Sequence, residues 1–165
     1  ERTEYCYSLL REISNAGHTI GIHSASHDYE KIYASVDAFL EDFNEAYEIV
    51  LEATGKAPDI YRFPGGSVND YNEKTRDDII AEMDRRGFTY FDWNVDSNDW
   101  QGYGWTTLYT NVLKDAEEFS SPVILFHNTG DRDNTVLVIE DIIKALKNKG
   151  YKFGSLSQKI KPVQF

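Results

Sequence analysis

Four short segments of this 165-residue chain carry side chains able to do metal or acid–base chemistry. His23-Ser24-Ala25-Ser26-His27 sets two imidazoles four residues apart, and at a strand-to-helix junction both rings can turn toward one point. Neutral imidazoles suit zinc or a neighbouring transition metal, but two make an incomplete site that still needs a third ligand, usually a carboxylate. A pair of surface or hydrogen-bonding histidines fits the same spacing. Arg62-Phe63-Pro64-Gly65-Gly66 places a cation before a tight loop whose backbone N–H groups can approach a ligand closely. An ordinary turn with a salt-bridging arginine is the plainer alternative. Asp96-Ser97-Asn98-Asp99-Trp100 offers two carboxylates and an indole. The carboxylates can bind metal, orient a base, pair with Arg62, or merely cap an Asx turn. Leu125-Phe126-His127 ends an apolar run with an imidazole, the side chain suited to general acid or base work, though a satisfied core histidine also fits.

These groups need a frame, and the pattern supplies one. A helix closing at Gly17 is followed by a predicted strand over 19–24. Val36, Phe39, Leu40, Phe43, Tyr47 and Val50 recur at three- and four-residue steps, predicting a helix over 36–53 with Ser35 as cap and Gly55 beyond its end. A strand is expected over 60–63. Asp70 with Glu73 then reads as a capping box opening a helix to Arg86 that stops at Gly87. Strand 88–95, helix 107–119, the apolar strand 122–127, helix 136–149 before Gly150 and a last strand over 151–156 complete the series. About five alternations of strand and helix argue for a parallel α/β architecture, an open doubly wound sheet or a barrel. In such folds the working residues gather at the C-terminal ends of the strands, where His23, His27, Arg62, Asp96, Asp99 and His127 fall.

Composition narrows the partners. Hydrophobic residues at 41 % and charged residues at 27 % make an ordinary globular balance, and the length suits a single domain over 1–165. No apolar run approaches the ~20 residues that span a bilayer, and no basic-then-apolar leader opens the chain. The formal charge of −11, from 28 acidic and 17 basic residues, argues against nucleic acid or an anionic membrane surface and for a neutral or mixed-charge substrate. Cys6 is the sole cysteine and leaves the compartment open.

Order and spacing say more than any one segment. His-Ser-x-x-His, Arg-x-Pro-x-Gly, Asp-x-x-Asp-Trp and Leu-x-His, in that order, resemble four of the five motifs of the polysaccharide deacetylases, carbohydrate esterase family 4, and Ala16-Gly17-His18-Thr19-Ile20-Gly21 also looks familial. The resemblance covers essentially the whole chain. It implies a distorted (β/α) barrel, here partial, and a divalent metal, most often zinc, with His23 and His27 as its imidazole ligands. It also implies His127 as the general acid, with Asp96 holding His127 and pairing with Arg62, the residue that fixes the base. Trp100 and Leu125 would wall an apolar pocket for the acetyl methyl group, and Phe63, Pro64 and Gly65 would meet the substrate, a backbone N–H of their loop stabilising the oxyanion. The substrate expected is an N-acetylated polysaccharide such as peptidoglycan or chitin, in an extracellular or cell-surface setting.

The chain departs from the family at one point. The first motif, an Asp-Asp pair that supplies the base and the third metal ligand, is not found; Asp77-Asp78, the only adjacent aspartates, read as a solvated helix face. The expectation is therefore a domain lacking its first strand or two and its third ligand, whose 165 residues alone deacetylate poorly. Two other readings remain: a catalytically silent carbohydrate-binding module, and a small cyclic-amide hydrolase on the same scaffold. The segment Gln101-Gly102-Tyr103-Gly104-Trp105, rich in glycine and aromatics, favours a polymer over a small amide.

Overall fold

The strongest helix signal becomes α3 (Val36–Thr54). The Ser35 hydroxyl accepts the Ala38 N–H at 3.1 Å, and Gly55 ends the helix in the left-handed conformation, φ 67°, which a residue without Cβ adopts freely. The computed structural model describes residues 3–130 and 133–165, and the chain divides into two compact units, Glu1–Asp92 with Ser155–Phe165, and Trp93–Gly154.

In the first unit, α1 (Glu4–Asn15) starts at Thr3, whose hydroxyl accepts the Cys6 N–H, and packs on α3. The single turn α2 (Tyr29–Ile32) is capped by the Asp28 carboxylate. β1 (Ile60–Tyr61) pairs in parallel with β2 (Thr89–Tyr90), Ile60 opposite Thr89. Of the strand predicted over 19–24, one bridge from Ile22 to Tyr61 forms on the other edge of β1. Gly21 explains the close passage: a Cβ there would meet the Ile60 carbonyl oxygen and side chain at 3.0 Å. An aromatic core of Tyr33, Phe39, Phe43, Tyr61, Phe63 and Tyr90, with Ile22, Ile79 and Met83, fills the space beneath.

Two expectations fail here. The helix predicted from Asp70 begins only at α4 (Arg76–Arg85). Asn69 Oδ1 accepts the N–H groups of Tyr71 and Asn72, and Asn72 Oδ1 accepts that of Asn69, so a reciprocal asparagine turn occupies the stretch where the capping box was expected. Asp77 and Asp78 accordingly lie in the first turn of α4, exposed, where negative charge suits the helix dipole. The strand predicted over 151–156 does not form. Instead the following segment is tied to this unit, with Val163 O accepting the Asp92 N–H at 2.7 Å and the Gln164 amide donating to Tyr90 O.

The strand expected over 88–95 is split, because Asp92 spends its N–H on Val163 rather than on a neighbouring strand. Its second half becomes β3 (Val95–Asp96) of the other unit, parallel to β4 (Ile124–Leu125), Val95 opposite Ile124. The Asn94 side chain fixes the register, taking the Val123 N–H at 2.7 Å. α5 (Trp105–Ala116) and α6 (Asp133–Asn148) pack together, burying Leu108, Val112, Ala116, Val138, Ile142 and Leu146 against Val95. Among the described residues no helix is long and apolar enough to cross a membrane.

Candidate functional site

In the first unit the chain leaves β1's edge at His23. His23 Nδ1 lies 2.9 Å from the Arg62 carbonyl oxygen. A carbonyl only accepts, so Nδ1 is the donor and a neutral ring has its lone pair on Nε2, the arrangement that suits a metal ligand. The His27 ring centroid lies 5.2 Å from that of His23, and the His27 backbone is left-handed, φ 55°. Between them, Asp42 of α3 collects the loop. Its Oδ2 accepts the Ser24 hydroxyl at 2.6 Å and the Ala25 N–H at 2.9 Å, its Oδ1 the Ser26 N–H at 2.9 Å. Two imidazoles so placed fit part of a divalent-cation donor set. Among the described residues no group of three or more His, Cys, Asp or Glu is gathered as a metal site.

Arg62 follows β1, and its loop is held by carbonyl contacts. Pro64 O accepts the Tyr33 hydroxyl at 2.7 Å, and Gly66 O accepts the Asn69 amide at 2.9 Å. Gly65 stands at φ 76°, a conformation that strains any residue with a Cβ, and such a Cβ would lie 3.2 Å from Tyr29 OH. Phe63 does not meet a substrate as expected: at 0 % exposure its ring is packed among Tyr33, Phe39, Tyr61 and Tyr90, because it points inward from the strand end. Pro64 is buried as well, while Gly65 is exposed. Burial pulls the Arg62 guanidinium below its ordinary pKa, against the opposing pull of Asp92 and Tyr29. Asp92 itself is buried and accepts the Ser67 N–H and hydroxyl, at 2.9 and 2.6 Å, and the Phe165 N–H.

In the second unit His127 is held by Asp99, not by Asp96 as expected. Asp99 Oδ1 lies 2.7 Å from His127 Nδ1, and Oδ2 accepts the His127 N–H and the Thr135 hydroxyl, each at 2.8 Å. Asp96 Oδ1 instead accepts the Asn98 N–H at 2.8 Å, a local Asx turn. Asn98, left-handed at φ 55°, turns the chain so that Asp99 faces inward. Asp99 is 2 % exposed, yet 35 % of the His127 side chain stays accessible. Leu125 on β4 is buried, and Trp100 stands out at 54 % exposure.

Asp42 and Asp99 should make the protein acid-sensitive. Burial alone would raise Asp42 and Asp99, but the hydroxyl and N–H donors outweigh it, so each lies below the ordinary carboxylate range. A depressed folded pKa contributes stability that is complete above the unfolded value and lost as pH falls through the folded one. Melting midpoints should hold down to about pH 4 and drop below it; a midpoint that rises on acidification contradicts this.

The sequence pattern of the polysaccharide deacetylases matches residues 1–88, the stretch that contains His23, His27 and Arg62. The chain belongs to the polysaccharide deacetylase family. It is 31 % identical to the catalytic domain of a peptidoglycan N-acetylglucosamine deacetylase from Eubacterium rectale, superposing with a TM-score of 0.90 over 96 % of this chain and 74 % of that one. A peptidoglycan-N-acetylglucosamine deacetylase of Bacillus cereus is 30 % identical over 151 residues, 88 % of this chain and 52 % of the relative. A peptidoglycan-N-acetylmuramic acid deacetylase of Bacillus subtilis is 30 % identical over 152 residues, covering 90 % and 53 %. This deacetylase-family chain thus spans about half the length of these curated relatives, and its fold is of the family's (β/α)-barrel type.

The spacing of the motifs singles out Asp96 and Asp99, and the resemblance makes Asp96 the partner of His127 where the structure has Asp99. It misses Asp42 altogether, although a carboxylate between Phe39 and Phe43 on the apolar stripe of α3 is a signal in itself. Asp92 and Thr135, both buried, were likewise passed over; nothing in their spacing marks them.

Proposed function

We propose that this deacetylase-family chain carries the metal-binding loop and the general acid of an N-deacetylase acting on an amino-sugar polymer of the peptidoglycan kind. The observation that carries this reading is the His127–Asp99 pair. Its 2.7 Å contact commits Nδ1 to the carboxylate, leaving Nε2 of a partly exposed ring to hand a proton to a departing sugar amine. Asp99 orients that ring and offsets its positive charge, as a buried carboxylate does for a catalytic imidazole. His23 and His27 would hold a divalent ion, zinc by family habit, together with a carboxylate supplied from outside the described residues. Such an ion lowers the pKa of water and polarises the acetamide carbonyl. Arg62 would orient a carboxylate base, and Trp100 and Leu125 would contact the acetyl methyl group. Peptidoglycan is favoured over chitin by the activities named for the relatives in Bacillus cereus and Bacillus subtilis. An insoluble wall polymer in turn implies an extracellular or surface setting.

The test is acetate release from an N-acetylglucosamine oligomer and from peptidoglycan, with and without zinc. The 165 residues should be run beside a version that carries an Asp-Asp segment upstream. The chain alone is expected to release little acetate, and the extended version to release it in a zinc-dependent way. An extended version that folds and holds glycan but releases none points instead to a binding module.

A further inference from the structure

We infer that Asp42 is the positioning residue that holds His27 in ligating geometry, an inference that rests on the metal reading of His23 and His27. A carboxylate at 3 % exposure on the core side of α3 is unfavourable unless its oxygens are fully engaged. Among the described residues those of Asp42 are engaged by the loop between the two histidines: the Ser24 hydroxyl and the N–H groups of Ala25 and Ser26. The hydroxyl it orients is itself an acceptor, and Ser24 Oγ takes the His27 N–H at 2.8 Å. A single carboxylate therefore holds the Ser24 hydroxyl and, directly or through that one relay, the backbone N–H of each residue from Ala25 to His27.

That hold answers a need. His27 sits at φ 55°, a region that residues with a Cβ leave unless neighbours fix them there. The other imidazole has a separate anchor, the Arg62 carbonyl at 2.9 Å from His23 Nδ1. The loop thus has one anchor per ring, and removing Asp42 should free His27 while leaving His23 in place. Asparagine cannot substitute. With its NH2 at the Oδ2 position it faces the Ala25 N–H, and at the Oδ1 position it faces the Ser26 N–H, donor against donor either way.

The experiment titrates the chain with zinc chloride while NMR follows the ring nitrogens of His23 and His27, and measures amide exchange of Ala25 and Ser26 without metal. In the unsubstituted protein both rings should respond with one common midpoint. In Asp42→Asn the midpoint should move about tenfold or more to higher zinc, in line with the loss of an outer-shell partner. The His27 response should uncouple from that of His23, and the two amides should exchange at least about tenfold faster, with core amides such as Ile79 unchanged. Ser24→Ala, which breaks only the relay, should weaken the His27 response while Ala25 and Ser26 stay protected. Should Asp42→Asn fail to fold, a Ser24→Ala protein with an unaltered His27 response overturns the inference by itself. Coupled rings with an unmoved midpoint in Asp42→Asn also overturn it. Rings that ignore zinc in the unsubstituted protein sink the metal reading instead; Asp42 is then judged on the exchange rates, and unchanged rates in Asp42→Asn reject it.

Discussion

Replacing Asp99 with asparagine is expected to lower zinc-dependent acetate release by about 10²–10⁴-fold, the usual contribution of a positioned acid–base group. The loss follows from which oxygens face which donors. Oδ1 faces His127 Nδ1, while Oδ2 serves both the His127 N–H and the Thr135 hydroxyl. An amide NH2 in the Oδ1 position turns Nδ1 into an acceptor and moves the ring proton of the neutral form to Nε2. In the Oδ2 position it opposes the His127 N–H. Either way the negative charge that supports the imidazolium is gone. The fold should survive at a cost of about 1–3 kcal/mol for the imperfectly satisfied buried group. Steady-state kinetics on the version carrying the upstream Asp-Asp segment should show the effect in kcat rather than KM. Full turnover by Asp99→Asn would remove His127 from the role of acid.

The second large effect concerns stability rather than chemistry. Phe63→Ala should destabilise the first unit by about 3–5 kcal/mol, as expected for deleting a fully buried aromatic ring. Phe63 is 0 % exposed, with ring centroids of Tyr61 at 5.3 Å, Tyr90 at 5.4 Å and Phe39 at 5.6 Å. No small shift refills a space bounded on so many sides. Because Phe63 lies between Arg62 and Pro64, the collapse should also disturb the carbonyl that holds His23. Urea unfolding followed by far-UV circular dichroism checks the magnitude. Trp93, Trp100 and Trp105 all lie in the second unit, so their fluorescence reports on that unit separately. A loss under about 1 kcal/mol would show that the cluster repacks.

Helices were legible where periodicity and caps agree. α3 was expected over 36–53 and runs Val36–Thr54, because Ser35 and Gly55 mark its ends in a way that depends only on local chemistry. α4 was misjudged by six residues at its start because asparagines 69 and 72 bond to each other's backbone, a choice that a capping signature cannot foresee. Three expected strands form as short pairs, the one over 88–95 split in two, while 19–24 leaves a single bridge and 151–156 forms none. Pairing depends on what lies opposite, and Asp92 and Asn94 divert their backbone and side chain to Val163 and Val123. The same limit applies at the site. Both aspartates of Asp-x-x-Asp were visible, but the left-handed turn at Asn98 that selects Asp99 was not. The resemblance makes Phe63 a substrate contact together with Pro64 and Gly65, whereas its ring lies wholly in the core.

The division of the chain also sets an order of assembly. The unit containing His127 is an unbroken run, Trp93–Gly154, whereas the unit containing the histidine pair is completed by Ser155–Phe165. On a ribosome that adds about 5–20 residues per second, the first can pack as soon as it emerges. The unit with the histidine pair is completed later, since the Asp92 carboxylate meets its Phe165 donor, and the Asp92 N–H its Val163 acceptor, only once about seventy further residues have been made. The segment that completes the unit with the histidine pair is thus made only after the whole of Trp93–Gly154.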